Sequence, residues 1–70
     1  GDGMVEFNIG SDDGLQVGNT LEVYRGSKYL ARLVVLQLDT DRGVGKIDPK
    51  HYLAPIQKGD NVATRLSKSG

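Results

Sequence analysis

Three glycines spaced four residues apart, Gly10, Gly14 and Gly18, bracket a loop that carries two apolar side chains, Leu15 and Val17. Strand-like alternation lies on both sides of it. A chain written this way turns a corner and pins that corner to a core, as small β-barrels do. Leu15 and Val17 are the expected pins. At 70 residues the chain is one domain, and a core of that size supplies only ~3–5 kcal/mol. It has no cysteine, so neither a disulfide nor a thiolate metal site can staple it. Barrel closure, self-association or attachment to a larger protein remain as stabilisers.

Alternation predicts the strands. Over residues 4–9, Val5, Phe7 and Ile9 face one way while Met4, Glu6 and Asn8 face the other. Residues 20–25 form a second strand with Leu21 and Val23 inward, joined through Gly26-Ser27-Lys28 to a third over residues 29–39. This third strand carries Leu33-Val34-Val35-Leu36, apolar on both faces. Either it bends and buries both faces within the domain, or a partner covers one of them. After the turn Thr40-Asp41-Arg42-Gly43, a short strand is expected over residues 44–48. A looser connection over residues 49–56 follows, with one helical turn near residues 50–53. Lys58-Gly59-Asp60 is a tight turn, and residues 61–66 are the last strand. Six of the ten glycines, Gly10, Gly14, Gly18, Gly26, Gly43 and Gly59, fall at these corners, and no internal repeat is evident.

The fold class expected is therefore all-β, a small five- to six-stranded barrel, SH3-like or related, with Gly-rich turns. The expected core is Val5, Phe7, Ile9, Leu15, Val17, Leu21, Val23, Leu33, Val35, Val44, Ile47, Ile56, Val62 and Leu66. Residues 1–3 read as linker, residues 4–66 as the domain, and residues 67–70 as a flexible tail. The opening glycine suggests an excised piece of a larger protein.

Nine basic and nine acidic residues give no net charge, which argues against a dedicated nucleic-acid binder. Residues 1–41 hold three bases against seven acids, −4, and residues 42–70 six against two, +4. Such halves either form a bipolar surface or interleave in the sheet and mix their charges. No apolar run is long enough to cross a membrane as a helix.

Candidate chemistry is sparse. A calcium loop begun at Asp39 puts Gly43 one place early and Lys50 where a bidentate glutamate belongs, and one begun at Asp12 puts Val23 there. Asp12 and Asp13 read as turn formers that accept backbone N–H bonds. The spacing of Gly10, Gly14 and Gly18 lacks the Gly-Lys-Ser/Thr ending of a phosphate loop. His51, the single histidine, would need Asp48 or Asp60 and a sheltered pocket to act as a base or ligand. No catalytic residue, metal ligand or cofactor is expected. Tyr24 and Tyr29 bracket the Gly26 turn. With Arg25, Lys28 and Arg32 they form either a stacking platform for single-stranded nucleic acid or a cross-strand aromatic pair.

The run Ile9-Gly10-Ser11-Asp12-Asp13-Gly14-Leu15-Gln16-Val17-Gly18-Asn19-Thr20-Leu21-Glu22-Val23-Tyr24-Arg25 resembles the opening of small bacterial β-barrels. Among them are the C-terminal domain of the flagellar assembly protein T family and the β-domains of rod-shape protein C. Residues 4–66 resemble more closely an uncharacterised domain common in planctomycete proteins, where it follows a coiled-coil or membrane-anchored region. The matching later pieces are Tyr29-Leu30-Ala31-Arg32-Leu33-Val34-Val35, Asp41-Arg42-Gly43-Val44-Gly45-Lys46-Ile47 and residues 55–66. Ala31 stands where the relatives carry glycine. The resemblance implies a non-enzymatic module of an envelope-associated protein and assigns no ligand residue.

The function expected is a structural or protein-interaction module. It would act through a protein partner or self-association, with Tyr24, Tyr29, Arg32, Val34 and Leu36 as the interaction surface. The alternative is a barrel that binds single-stranded nucleic acid or glycan through Tyr24 and Tyr29.

Overall fold

Strands form where the sequence alternates. The computed structural model describes residues 3–64, with β1 at Met4–Phe7, β2 at Thr20–Arg25, β3 at Lys28–Leu38, β4 at Gly43–Tyr52 and β5 at Asn61–Thr64. All pair antiparallel in one sheet of order β1-β4-β3-β2-β5, curled into a half-barrel. Among the described residues there is no α-helix, only a 3-10 turn at Ser11–Asp13. β2 and β3 are joined by Gly26 and Ser27, with Gly26 at φ +62°. A glycine at positive φ in the first of two loop positions is the pattern of a II′ hairpin, whose twist matches its strands.

The glycine-bracketed corner is pinned, but by one side chain. Leu15 is 3% exposed and belongs to the core, whereas Val17 is 64% exposed. The reason is local. Residues 16–19 form a turn closed by the Asn19 N–H donating to the Gln16 carbonyl at 3.0 Å, with Gly18 at φ +95°. Val17 occupies the second position of that turn, at its solvent side. Backbone bonds supply the other pins. The Ser11 and Asp12 N–H groups donate to the Asp39 and Thr40 carbonyls, and the Gly18 N–H to Val35. Asp13 acts as the expected turn former, since its Oδ2 accepts the Gly10 N–H at 3.0 Å.

Two further expectations are corrected. β4 does not stop at Asp48 but runs through Pro49 to Tyr52, in place of the loose, partly helical connection. Ile47 pairs with Leu33 and Tyr52 with Ala31, so β4 carries extra residues between these pairs and bulges there. Proline, which has no N–H to give a ladder, is tolerated at such a bulge. The Asp48 Oδ1 accepts the Lys50 N–H across it at 3.0 Å. Val44 is half-buried outside the core. It pairs with Glu6 and Gln37, both exposed, and shares their outward face.

The core comprises Phe7, Leu15, Leu21, Val23, Leu30, Ala31, Leu33 and Val35. Val5, Ile9, Ile47, Ile56 and Val62 pack against it as expected, joined by Leu38 and Ala54; Leu66 lies outside the described residues. Leu30 enters through a bulge. Val23 pairs with Ala31 and Tyr24 with Tyr29, leaving Leu30 unopposed beside the buried Ala31. A second slip, between Val35 and Gln37, leaves Leu36 unopposed and 41% exposed. The doubly apolar strand is thus bent by bulges, and Leu36 stays on the surface.

The structure also exposes a repeat. Gln16-Val17-Gly18-Asn19 and Gln57-Lys58-Gly59-Asp60 make the same turn. Both glycines sit at φ +95°. Asp60 N–H donates to the Gln57 carbonyl at 3.1 Å, as Asn19 does to Gln16. In each turn the fourth side chain accepts the N–H of the first: Asn19 Oδ1 at 3.0 Å, Asp60 Oδ2 at 2.7 Å. An apolar residue precedes each turn, Leu15 or Ile56, and a strand follows, β2 or β5. These two strands pair with each other, Leu21 with Thr64 and Val23 with Val62. That register maps onto itself when one unit is exchanged for the other, so the units are related by a local two-fold axis through Glu22 and Ala63.

Candidate functional site

Cross-strand pairing collects four of the five expected surface residues on the outward face of β2 and β3. Tyr24 stands opposite Tyr29, Glu22 opposite Arg32 and Thr20 opposite Val34. The Tyr24 and Tyr29 ring centroids are 5.5 Å apart at 65°, the edge-to-face arrangement expected of a cross-strand aromatic pair. Leu36, the fifth, follows at the bulge and shares a shallow cavity of about 380 Å³ with Val34, Lys46, Ile47, Asp48 and Pro49.

The polar groups of this face are bound to one another. Arg32 Nε donates to Glu22 Oε2 at 3.0 Å, with both side chains largely covered. The Tyr29 hydroxyl is buried beside Glu22. Burial first, then hydrogen bonding to the Glu22 carboxylate, pushes the Tyr29 pKa up to about 12. Asp48 lies in reach of the Arg32 charge and contacts His51, Oδ2 to Nδ1 at 3.2 Å. Its carboxyl is held below the ordinary range, chiefly by the Lys50 N–H and then by His51. Tyr24 and Tyr29 pack edge to face beside the Arg32–Glu22 ion pair, whereas a stacking platform needs free ring faces.

The structure brings His51 to Asp48 but not to Asp60. Asp60 binds Arg25 in a fork, Nε to Oδ1 at 2.8 Å and Nη2 to Oδ2 at 2.9 Å, while the same Nη2 donates to the Pro55 carbonyl at 3.1 Å. The guanidinium holds the Asp60 carboxyl below its ordinary range. The cavity beside Asp48 is lined by apolar side chains and Lys46, without His51. Among the described residues no three His, Cys, Asp or Glu side chains gather as a metal site would need.

Sequence reading missed Glu22 as the centre of this face. One signal was available: in a hairpin with a two-residue loop, Glu22 and Arg32 fall opposite once a single bulge is allowed. The two charge halves interleave, because β4 lies between β1 and β3 and β5 lies beside β2. No family model, curated protein or solved structure matches this chain.

Proposed function

We propose that this chain is a non-catalytic protein-interaction module of a larger bacterial, envelope-associated protein, and that it works by pairing its outward β3–β4 face with a second copy. The observation that carries this reading is the strip formed by half-buried Val34 and exposed Leu36, flanked on β4 by Lys46 and Asp48. An apolar strip with a cation and an anion along one side is self-complementary across a two-fold axis, where Lys46 meets the Asp48 of the second copy. The resemblance to an uncharacterised planctomycete domain that follows a coiled-coil or membrane-anchored region supports the same reading, since a coiled coil holds copies side by side.

Sedimentation over a wide concentration range tests it. The chain should associate to dimers, and Leu36→Asp should abolish this while leaving the circular dichroism spectrum unchanged. A chain that stays monomeric at millimolar concentration, or a Leu36→Asp variant that still dimerises, overturns the reading.

A further inference from the structure

The two outer strands of the sheet, β1 and β5, face a common cavity of about 700 Å³. Its floor is apolar, with Val5, Phe7, Val23, Ile56 and Val62 among the lining residues. Its sides are strand edges that pair with no further strand among the described residues. In the β1–β4 ladder, Ile47 donates to the Gly3 carbonyl at 2.8 Å. Because hydrogen-bonded pairs alternate along an antiparallel ladder, Val5 and Phe7 bond to β4, and the N–H and C=O groups of Met4 and Glu6 point into the gap. The same alternation, started from Val35 donating to Asn19 at 2.8 Å, turns Glu22 and Tyr24 toward β5. It leaves Val62 and Thr64 with their main-chain groups on the free side of that strand.

Direction adds a constraint. Four antiparallel steps from β1 through β4, β3 and β2 bring β5 back to the direction of β1. The ladder therefore cannot close by pairing β1 with β5 in its own antiparallel pattern. One more strand, running the other way, closes it on both sides. The local two-fold axis places that strand independently. Exchanging the two units carries β2 onto β5, and carries β3, the other neighbour of β2, onto the free edge of β5.

We propose that this gap is a strand-addition site that takes one linear peptide segment, extended and antiparallel to both β1 and β5. Its chemistry follows from the walls: apolar residues at alternate positions toward the floor, polar residues between them, and no proline where an N–H must reach an edge. At ~3.3 Å per residue, ~4.8 Å between strands and ~10 Å of depth, the cavity holds about four extended residues. That length matches β1 and β5, which have four residues each. So short an insertion buries far less than the ~1,000 Å² of a stable interface between folded chains. A folded second copy would moreover bring its strand already paired. The occupant is thus a segment unstructured before binding.

The axis also supplies a probe, the strand it maps into the gap. An acetylated peptide of residues 29–37 of this chain is added to the ¹⁵N-labelled protein, beside the same peptide with Leu33→Pro. The first should slow exchange of the Met4, Glu6 and Val62 amides by about tenfold or more, and the proline peptide should not. In the protein, Glu6→Pro removes an N–H that the β1–β4 ladder does not use. It should abolish the protection while retaining the folded spectrum. Equal effects of both peptides, or no change at millimolar peptide, overturn the proposal. So does protection of the Met4 and Glu6 amides in the free monomer, which would mean the gap is filled from within. Protection that rises with protein concentration alone would assign the edge to a second copy and equally overturn it. Because the outward β3–β4 face lies elsewhere, Leu36→Asp should leave peptide binding intact, which separates this outcome from the dimer test.

Discussion

Gly10 and Gly43 are glycines because their neighbours leave no room for more. A Cβ on Gly10 would collide with the Asp39 carbonyl oxygen and come within 2.7 Å of Arg42 N, all backbone. A Cβ on Gly43 would stand 2.6 Å from Phe7 Cε1 and 2.9 Å from the Gln37 carbonyl oxygen. Gly10→Ala and Gly43→Ala should each cost about 1–3 kcal/mol in urea denaturation, from overpacking alone. Tyr29 gives a second test at this scale. Its raised pKa means that the folded state keeps its proton where the unfolded chain loses it. The contribution is therefore whole below the ordinary value of 10.0 and lost as pH rises toward about 12. Ultraviolet titration of the three tyrosines should show one ionising late, and Tyr29→Phe should remove that phase. The meeting of Tyr24 and Tyr29 was legible, because the two flank a turn signal. The burial of the Tyr29 hydroxyl was not, because Glu22 reaches it only through the register of β2 and β3.

Elements were readable to the extent that their neighbours were sequential. The whole of β2 and its hairpin to β3 follow from alternation and one glycine. The length of β4 does not, because Pro49 reads as a stop unless a bulge removes the need for its N–H. Leu30 and Val17 show the same limit from opposite sides. Both are aliphatic in a strand or its lead-in, yet a bulge buries one and a turn exposes the other. Leu30→Ala should cost about 2–5 kcal/mol, and Val17→Ala within about 0.5 kcal/mol of nothing, by the same denaturation. The Arg25–Asp60 fork ties the end of β2 to the turn before β5. Since the Asp60 pKa is lowered, this support is full above the ordinary 3.8 and fades as pH falls through the depressed value. Thermal melting of Asp60→Asn should fall below the parent at neutral pH and converge with it in acid.

For the whole molecule, size and openness set the scale. A half-barrel of this length should unfold in one cooperative step worth ~3–5 kcal/mol in urea, so Leu33→Ala, like Leu30→Ala, should lose most of that margin and shift the urea midpoint toward zero. The all-β class, the corners and most of the core were determined by the sequence itself, since alternation and glycine placement act over a few residues. Leu15 could be named as a pin for the same reason. Only tertiary structure decided that Val17 is not one, that β4 crosses Pro49, and that two distant Gln-x-Gly-Asn/Asp turns are equivalent. Only it showed that β1 and β5 end parallel with a gap between them. Those facts depend on register and direction, which are set jointly by strands far apart in the chain and are properties of no local stretch.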